Sequence, residues 1–318
     1  MESSDDEKDA NAEVSLPKEL GHYSESKSIK FVEDVLKGPN ESCLENFRMD
    51  KQLFYKLCDM LRTRGLLRHT NRIKIEEQLA IFMFIVGHNL RTRAVQDLFR
   101  YSGETISRHF NNVLNAIMTV SLDFFQPPKS DVPPEIREDA RFYPYFAVSK
   151  YYLVDGKYAN IPGFMAPYPG VPYSQLEFVH SQDARELFNQ RHCILRNVTD
   201  RTFAALKERF PILMSAPSYP LATQVKLVVA TCALHNYIRI ENPDDWIFKM
   251  YEQEATLQIQ DPMPALQIEQ PLITAETQLS DIPVGGEELE HASQVRDAMA
   301  TDIWDDYIRD FAAIHNVV

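Results

Sequence analysis

The sequence predicts a mainly α protein with a partial α/β part in its second half. Three observations carry that prediction. Between residues 45 and 125 apolar side chains recur at three- and four-residue spacing. Strand-like composition is concentrated in "KYYLVDGKY", residues 150–158, where aromatic and β-branched residues run up to an Asp-Gly turn. A Pro-rich stretch, "QPPKSDVPPEI", separates the two regimes and marks the expected domain boundary.

In chain order, residues 1–40 are polar and acidic, broken by "KGPN", and are expected to be disordered or loosely helical. Residues 41–128 read as a helical domain. In "ENFRMDKQLFYKLCDMLRTRG" the residues Phe47, Met49, Phe54, Leu57, Met60 and Leu61 fall at helical spacing, and Gly65 lies where a helix can end. "IKIEEQLAIFMFIVGHN" predicts a strongly apolar helix at the centre of a small bundle. A short helix, about 91–100, then meets a turn at Ser102-Gly103 and a longer helix follows. That pattern suits a helix-turn-helix whose second helix exposes Glu104, Ser107, Arg108, Asn111 and Asn112.

Beyond a hinge at 129–141, the α/β part spans 142–240. Four prolines and two glycines make "NIPGFMAPYPGVPY" an ordered loop. Helical spacing returns over about 185–210 and 222–240. Residues 241–290 form an acidic, Pro-punctuated linker, and 291–318 contain an amphipathic helix that docks onto the domain or onto a partner.

Composition narrows the functional classes. The 318 residues are 44% apolar and 25% charged, ordinary for a globular protein. No apolar run approaches a membrane span, and the acidic start is unlike a signal peptide. Four cysteines without a CxxC suggest neither a disulfide framework nor a zinc ribbon, but reduced thiols of the cytosol or nucleus. No glycine pattern forms a phosphate loop. The net charge of −13 is unevenly spread. Residues 241–310 carry 17 acidic against three basic residues, whereas 62–110 carry nine basic against four acidic. A basic module can meet nucleic-acid phosphates even in an acidic chain. Arg91, Arg93, Arg108, Asn111 and Asn112 are the candidate DNA contacts. The competing reading is a plain helical bundle with those residues in water.

Two carboxylates stand out for chemistry. Asp155 follows a strand and Asp200 lies on a helix; such a pair can hold Mg²⁺ through oxygen ligands. Asp155-Gly156 also makes a good turn, and Asp200 can equally be ion-paired with Arg196 or Arg201. His192-Cys193 and Cys232-x-x-His235 are of zinc-binding type, but their apolar helical setting favours packing. His109 is read as a surface residue of the second helix.

The stretches "YYLVDGKYANIPGFMAPYPGVPY", "ELFNQRHCILRNVTDRTFAALKERFPILMSAPSYP" and "TQVKLVVATCALHNYIR" resemble the second half of a PIF/Harbinger-type transposase catalytic domain. They are similar to the DDE superfamily endonucleases and to proteins domesticated from them. Residues 45–127 resemble the helical DNA-binding domain that precedes it. The resemblance implies an RNase H-like catalytic domain, incomplete here. It implies a divalent metal cofactor, Mg or Mn, held by three acids, with Asp155 matching the second and Asp200 standing where the third, normally Glu, belongs. The first acid is missing: "RFYPYFAVSKYYLVDGKY" runs directly across the place of its strand, and Glu138 and Asp139 precede that place. A site with one acid deleted and another shortened implies impaired catalysis. The expectation is a nuclear, transposase-derived protein acting through DNA or protein binding. The alternative is an active metal-dependent nuclease. DNA is the implied partner, a Myb-like protein is a looser one, and no membrane is involved.

Overall fold

A computed structural model describes residues 28–70, 73–127, 131–147, 151–173, 181–252 and 285–315. Most of the acidic linker lies outside the described residues. The chain forms two compact units: Met1–Ser121 with Phe210–Ala230, and Leu122–Arg209 with Thr231–Val318. The architecture is mainly α with one two-stranded sheet among the described residues, as composition and periodicity predict.

The first unit contains helices α1 (Ser28–Lys37), α2 (Asn40–Phe47), α3 (Lys51–Thr63), α4 (Ile75–His88), α5 (Gln96–Phe99) and α6 (Gly103–Val120). Helix α1 lies in the stretch expected to be disordered or loosely helical. Periodicity alone runs α2 and α3 together. The structure breaks them at Arg48, which takes φ +58, and restarts at Asp50, whose side chain accepts from Gln52 N–H at 2.7 Å. Gly65, at φ +68, follows α3 as its position suggests.

Helix α4 is buried on nearly every face from Leu79 to Val86, which its apolar sequence requires. It packs against α1, α2, α3, α6 and the turn Pro211–Met214. Fully burying each Leu, Ile or Phe contributes about 1.5–3 kcal/mol, so this helix anchors the unit. Gly87 serves a close approach: a Cβ there would meet Arg48 Cγ at 2.6 Å, and Arg48 Nε donates to Gly87 O at 2.9 Å. Helix α6 begins at Ser102, whose hydroxyl accepts from Thr105 N–H at 3.3 Å. Its inner face places Ile106, Phe110, Val113, Leu114 and Ile117 in the core, and Phe110 stacks on Tyr219 at 5.5 Å.

The second unit holds α7 (Pro134–Arg137), β1 (Tyr152–Leu153), β2 (Phe164–Met165), α8 (Ala184–Arg209), the helical turn α10 (246–252) and α11 (Gly286–His315). Helix α9 (Leu221–Glu241) starts in the first unit and ends in the second. The expected strand is reduced to two residues. Its parallel partner β2 arises within the Pro-Gly loop, pairing Tyr152 with Phe164 and Leu153 with Met165.

The core of this unit joins Phe142, Phe146, Met165, Tyr168, Leu187 and Phe188 to Met299, Ala300 and Ile303 of α11. The C-terminal helix therefore docks in cis. Tyr145 O–H donates to Asp306, Tyr168 O–H donates to Asp297 at 2.6 Å, and Arg296 donates to the carbonyl of Ala166 at 3.2 Å. Elsewhere Arg209 and Asp245 form a buried ion pair. The Phe248 ring lies against both Arg209 and Arg239, at 5.2 and 4.8 Å.

Candidate functional site

Helix α8 carries Phe188, His192, Arg196 and Asp200 at four-residue spacing, so they form one ridge along its surface. The ridge grades from core to solvent. Phe188 and His192 are fully buried, the Arg196 side chain is 13% exposed and that of Asp200 is 54% exposed. Strand β1 packs on the same helix and delivers Asp155 just past its end.

Both candidate acids converge on one cation. Arg196 Nη2 lies 3.3 Å from Asp155 Oδ2, and Nη1 lies 3.0 Å from Asp200 Oδ2. Asp155 also closes its own turn: Oδ1 accepts from Lys157 N–H at 3.0 Å, and its carbonyl accepts from Tyr158 N–H at 2.9 Å. The turn and ion-pair roles of these residues are thus both realised, and the tertiary contact is the Asp155–Arg196 pair.

One helical turn back, His192 is held at both ring nitrogens. Nε2 donates to the carbonyl of Met165 at 3.0 Å, which leaves Nδ1 to accept from Tyr173 O–H at 2.9 Å. Burial lowers His192 to about 4 and raises the Tyr173 phenol. With both nitrogens engaged, His192 fits the packing role and not a zinc ligand. Asn189, fully buried, clamps the preceding loop. Its Oδ1 accepts from Tyr168 N–H at 2.8 Å and its Nδ2 donates to Tyr168 O at 3.0 Å.

The residues present do not fit a two-metal centre. Two carboxylates share one guanidinium, and three of their four oxygens already accept hydrogen bonds or face that cation. Among the described residues no group of three His, Cys, Asp or Glu side chains could hold a metal ion. Asp139, the nearest acid before β1, is bound to Arg141 at 2.7 Å.

The candidate DNA contacts lie in the first unit. Arg91 and Arg93 are exposed in the turn before α5, and Arg108, Asn111 and Asn112 are exposed on α6. Arg108 lies 3.7 Å from Glu104, and Asn111 donates to Ser107 O at 2.8 Å. His109, expected at the surface, is buried at 5% exposure, because its place on α6 turns toward the core. Sequence reasoning missed the His192–Tyr173 pair and the Asn189 clamp. The four-residue spacing from Phe188 to Asp200 was the available signal.

Two family models match the chain. Residues 134–236 match the DDE superfamily endonucleases, and residues 23–119 match a family described as a domain of unknown function (DUF8040). The first match spans Asp155, Arg196 and Asp200, so this part of the chain is similar to the DDE superfamily endonucleases. Helix α11 lies outside both. No curated protein and no solved structure matches the chain.

Proposed function

We propose that the chain is a transposase-derived nuclear protein of the Harbinger type that works by binding DNA or protein, its cleavage chemistry lost. The observation that carries this reading is the shared pairing of Asp155 and Asp200 with Arg196. Two carboxylates against one guanidinium leave a single net negative charge, where a two-metal mechanism needs acids enough to hold two divalent cations. Arg196 belongs to the motif that carries the family resemblance. The departure is therefore the missing acid, which leaves the arginine to neutralise those that remain.

DNA binding is supported by the basic balance of residues 62–110 and by the exposure of Arg91, Arg93, Arg108, Asn111 and Asn112 on one unit. A groove-facing α6 would direct the last three at the duplex while Arg91 and Arg93 meet phosphate.

The test uses the full chain with supercoiled plasmid and Mg²⁺ or Mn²⁺, alongside a duplex mobility shift. The expected result is no nicking and a shift that weakens steeply with salt. Nicking that disappears in Asp155→Ala would establish the nuclease instead. A shift unaffected by salt or by Arg108→Ala would remove the DNA-binding part.

A further inference from the structure

We propose that a cleft in the first unit, between α1, α3 and the start of α4, receives an arginine side chain of a basic partner polypeptide. The cleft has a volume of about 210 Å³. That is below the roughly 300–1,000 Å³ of a typical small-molecule pocket and suits a single side chain. Val32 and Leu36 of α1 give it an apolar wall, and Tyr55 of α3, 42% exposed, supplies a ring. Three carboxylates also line it, and two of them are fully used. Glu33 faces Lys37 at 3.0 Å through one oxygen and Lys74 at 3.2 Å through the other. Glu77, buried, accepts from Lys74 N–H at 2.8 Å and from Tyr101 O–H at 3.1 Å. Glu76 differs: its Oε2 is buried and has no hydrogen-bond partner among the described residues.

A buried carboxylate oxygen without a partner calls for a donor, and the surroundings narrow its kind. Glu76 lies in the first turn of α4, where the helix dipole favours its charge but brings no hydrogen to Oε2. One water, about 30 Å³ of liquid volume, would meet that oxygen and leave most of the cleft open. A divalent cation does not fit, because two lysines hold Glu33 and no three acids among the described residues converge on a metal site. Three carboxylates against two ammonium groups leave the lining one negative charge, which one cationic group balances. A guanidinium suits it better than an ammonium, since a planar cation lies on the Tyr55 ring while its N–H groups donate to Glu76. Residues 1–34, which lead into the α1 wall, carry ten acidic against four basic residues, so the approach favours a basic polypeptide. The inference rests on the first unit alone and does not depend on whether the chain cleaves DNA.

Titration of the full chain with acetyl-arginine amide, followed by the amide NMR shifts of α1 and the start of α4, reads the site directly. The expected result is saturable binding with a dissociation constant of about 1 mM, as befits one side chain. Acetyl-citrulline amide, its neutral isostere, should bind at least about tenfold more weakly, and so should acetyl-arginine amide to the Glu76→Gln chain. Tyr55→Ala is the second variant, with the same expected loss, should Glu76→Gln disturb the helical circular-dichroism spectrum. The same arginine within a short alanine peptide should bind at least as tightly as the single amide. Shifts that fail to saturate by roughly 20 mM, the outcome for a cleft that holds only water, overturn the proposal. So does equal binding of the citrulline compound, or undiminished binding to a folded Glu76→Gln or Tyr55→Ala chain. A cleft that takes the amide and refuses the peptide is a small-molecule site, and that result overturns the polypeptide partner.

Discussion

Arg196 reaches Asp155 across the packing of β1 on α8, Nη2 to Oδ2 at 3.3 Å, while its other terminal nitrogen holds Asp200. The two pairs are unequal because their surroundings differ. Asp200 is more than half exposed, so losing that pair through Asp200→Ala should cost less than about 1 kcal/mol. Arg196 is largely buried, and Arg196→Ala leaves two carboxylates facing each other and removes packing, for a loss of roughly 1–3 kcal/mol. Urea unfolding of the two variants checks the order. Equal losses would show that Arg196 does not organise the site.

Asn189→Ala should destabilise the second unit by roughly 2–4 kcal/mol, because it strands both the N–H and the C=O of Tyr168 in a dry setting. Asn189→Asp should fare no better at neutral pH, since a carboxylate cannot donate to that carbonyl. Thermal unfolding with hydrogen exchange at Tyr168 reads the effect. Unchanged protection at that amide would count against the clamp.

Acid should weaken the fold through His192. The folded ring titrates at about 4 against an ordinary 6.5, chiefly because burial disfavours its charged form. Between those values the unfolded chain binds a proton that the folded chain refuses. Stability is therefore kept above pH 6.5 and lost as pH falls towards 4, by up to about 3 kcal/mol. His192→Gln should flatten that part of the stability profile. A slope identical to wild type between pH 6.5 and 4 would assign the effect elsewhere.

The C-terminal helix should behave as core. Ile303 is fully buried among residues of both ends of the unit, so Ile303→Ala should cost roughly 2–4 kcal/mol. Tyr168→Phe, which deprives Asp297 of its donor, should cost about 1 kcal/mol. Denaturant unfolding with limited proteolysis of the second unit would distinguish a core element from a loosely attached tail. Ile303→Ala with wild-type stability would show the latter.

Local signals made much of this fold legible. The all-apolar α4 was readable because a run from Leu79 to Val86 has no polar face to give to water. The Ser102-Gly103 turn before α6 and the approximate bounds of α8 and α9 were readable because turn chemistry and periodicity act within a few residues. The strand pairing was not. β2 lies in a segment whose prolines and glycine read as loop, and its pairing depends on where Tyr152 comes to rest.

By itself the sequence determined a mainly helical chain, the basic stretch in its first half and its acidic C-terminal part, and it singled out Asp155 and Asp200 as candidate acids. Tertiary structure decided what those acids touch. Asp155 and Asp200 are 45 residues apart in the sequence, and only the packing of β1 on α8 puts one guanidinium between them. It likewise decided that residues 210–230 join the first unit and that α11 completes the core of the second. The reason is physical: spacing and propensity are local, whereas ion pairs and burial are settled by distances that chain order does not carry.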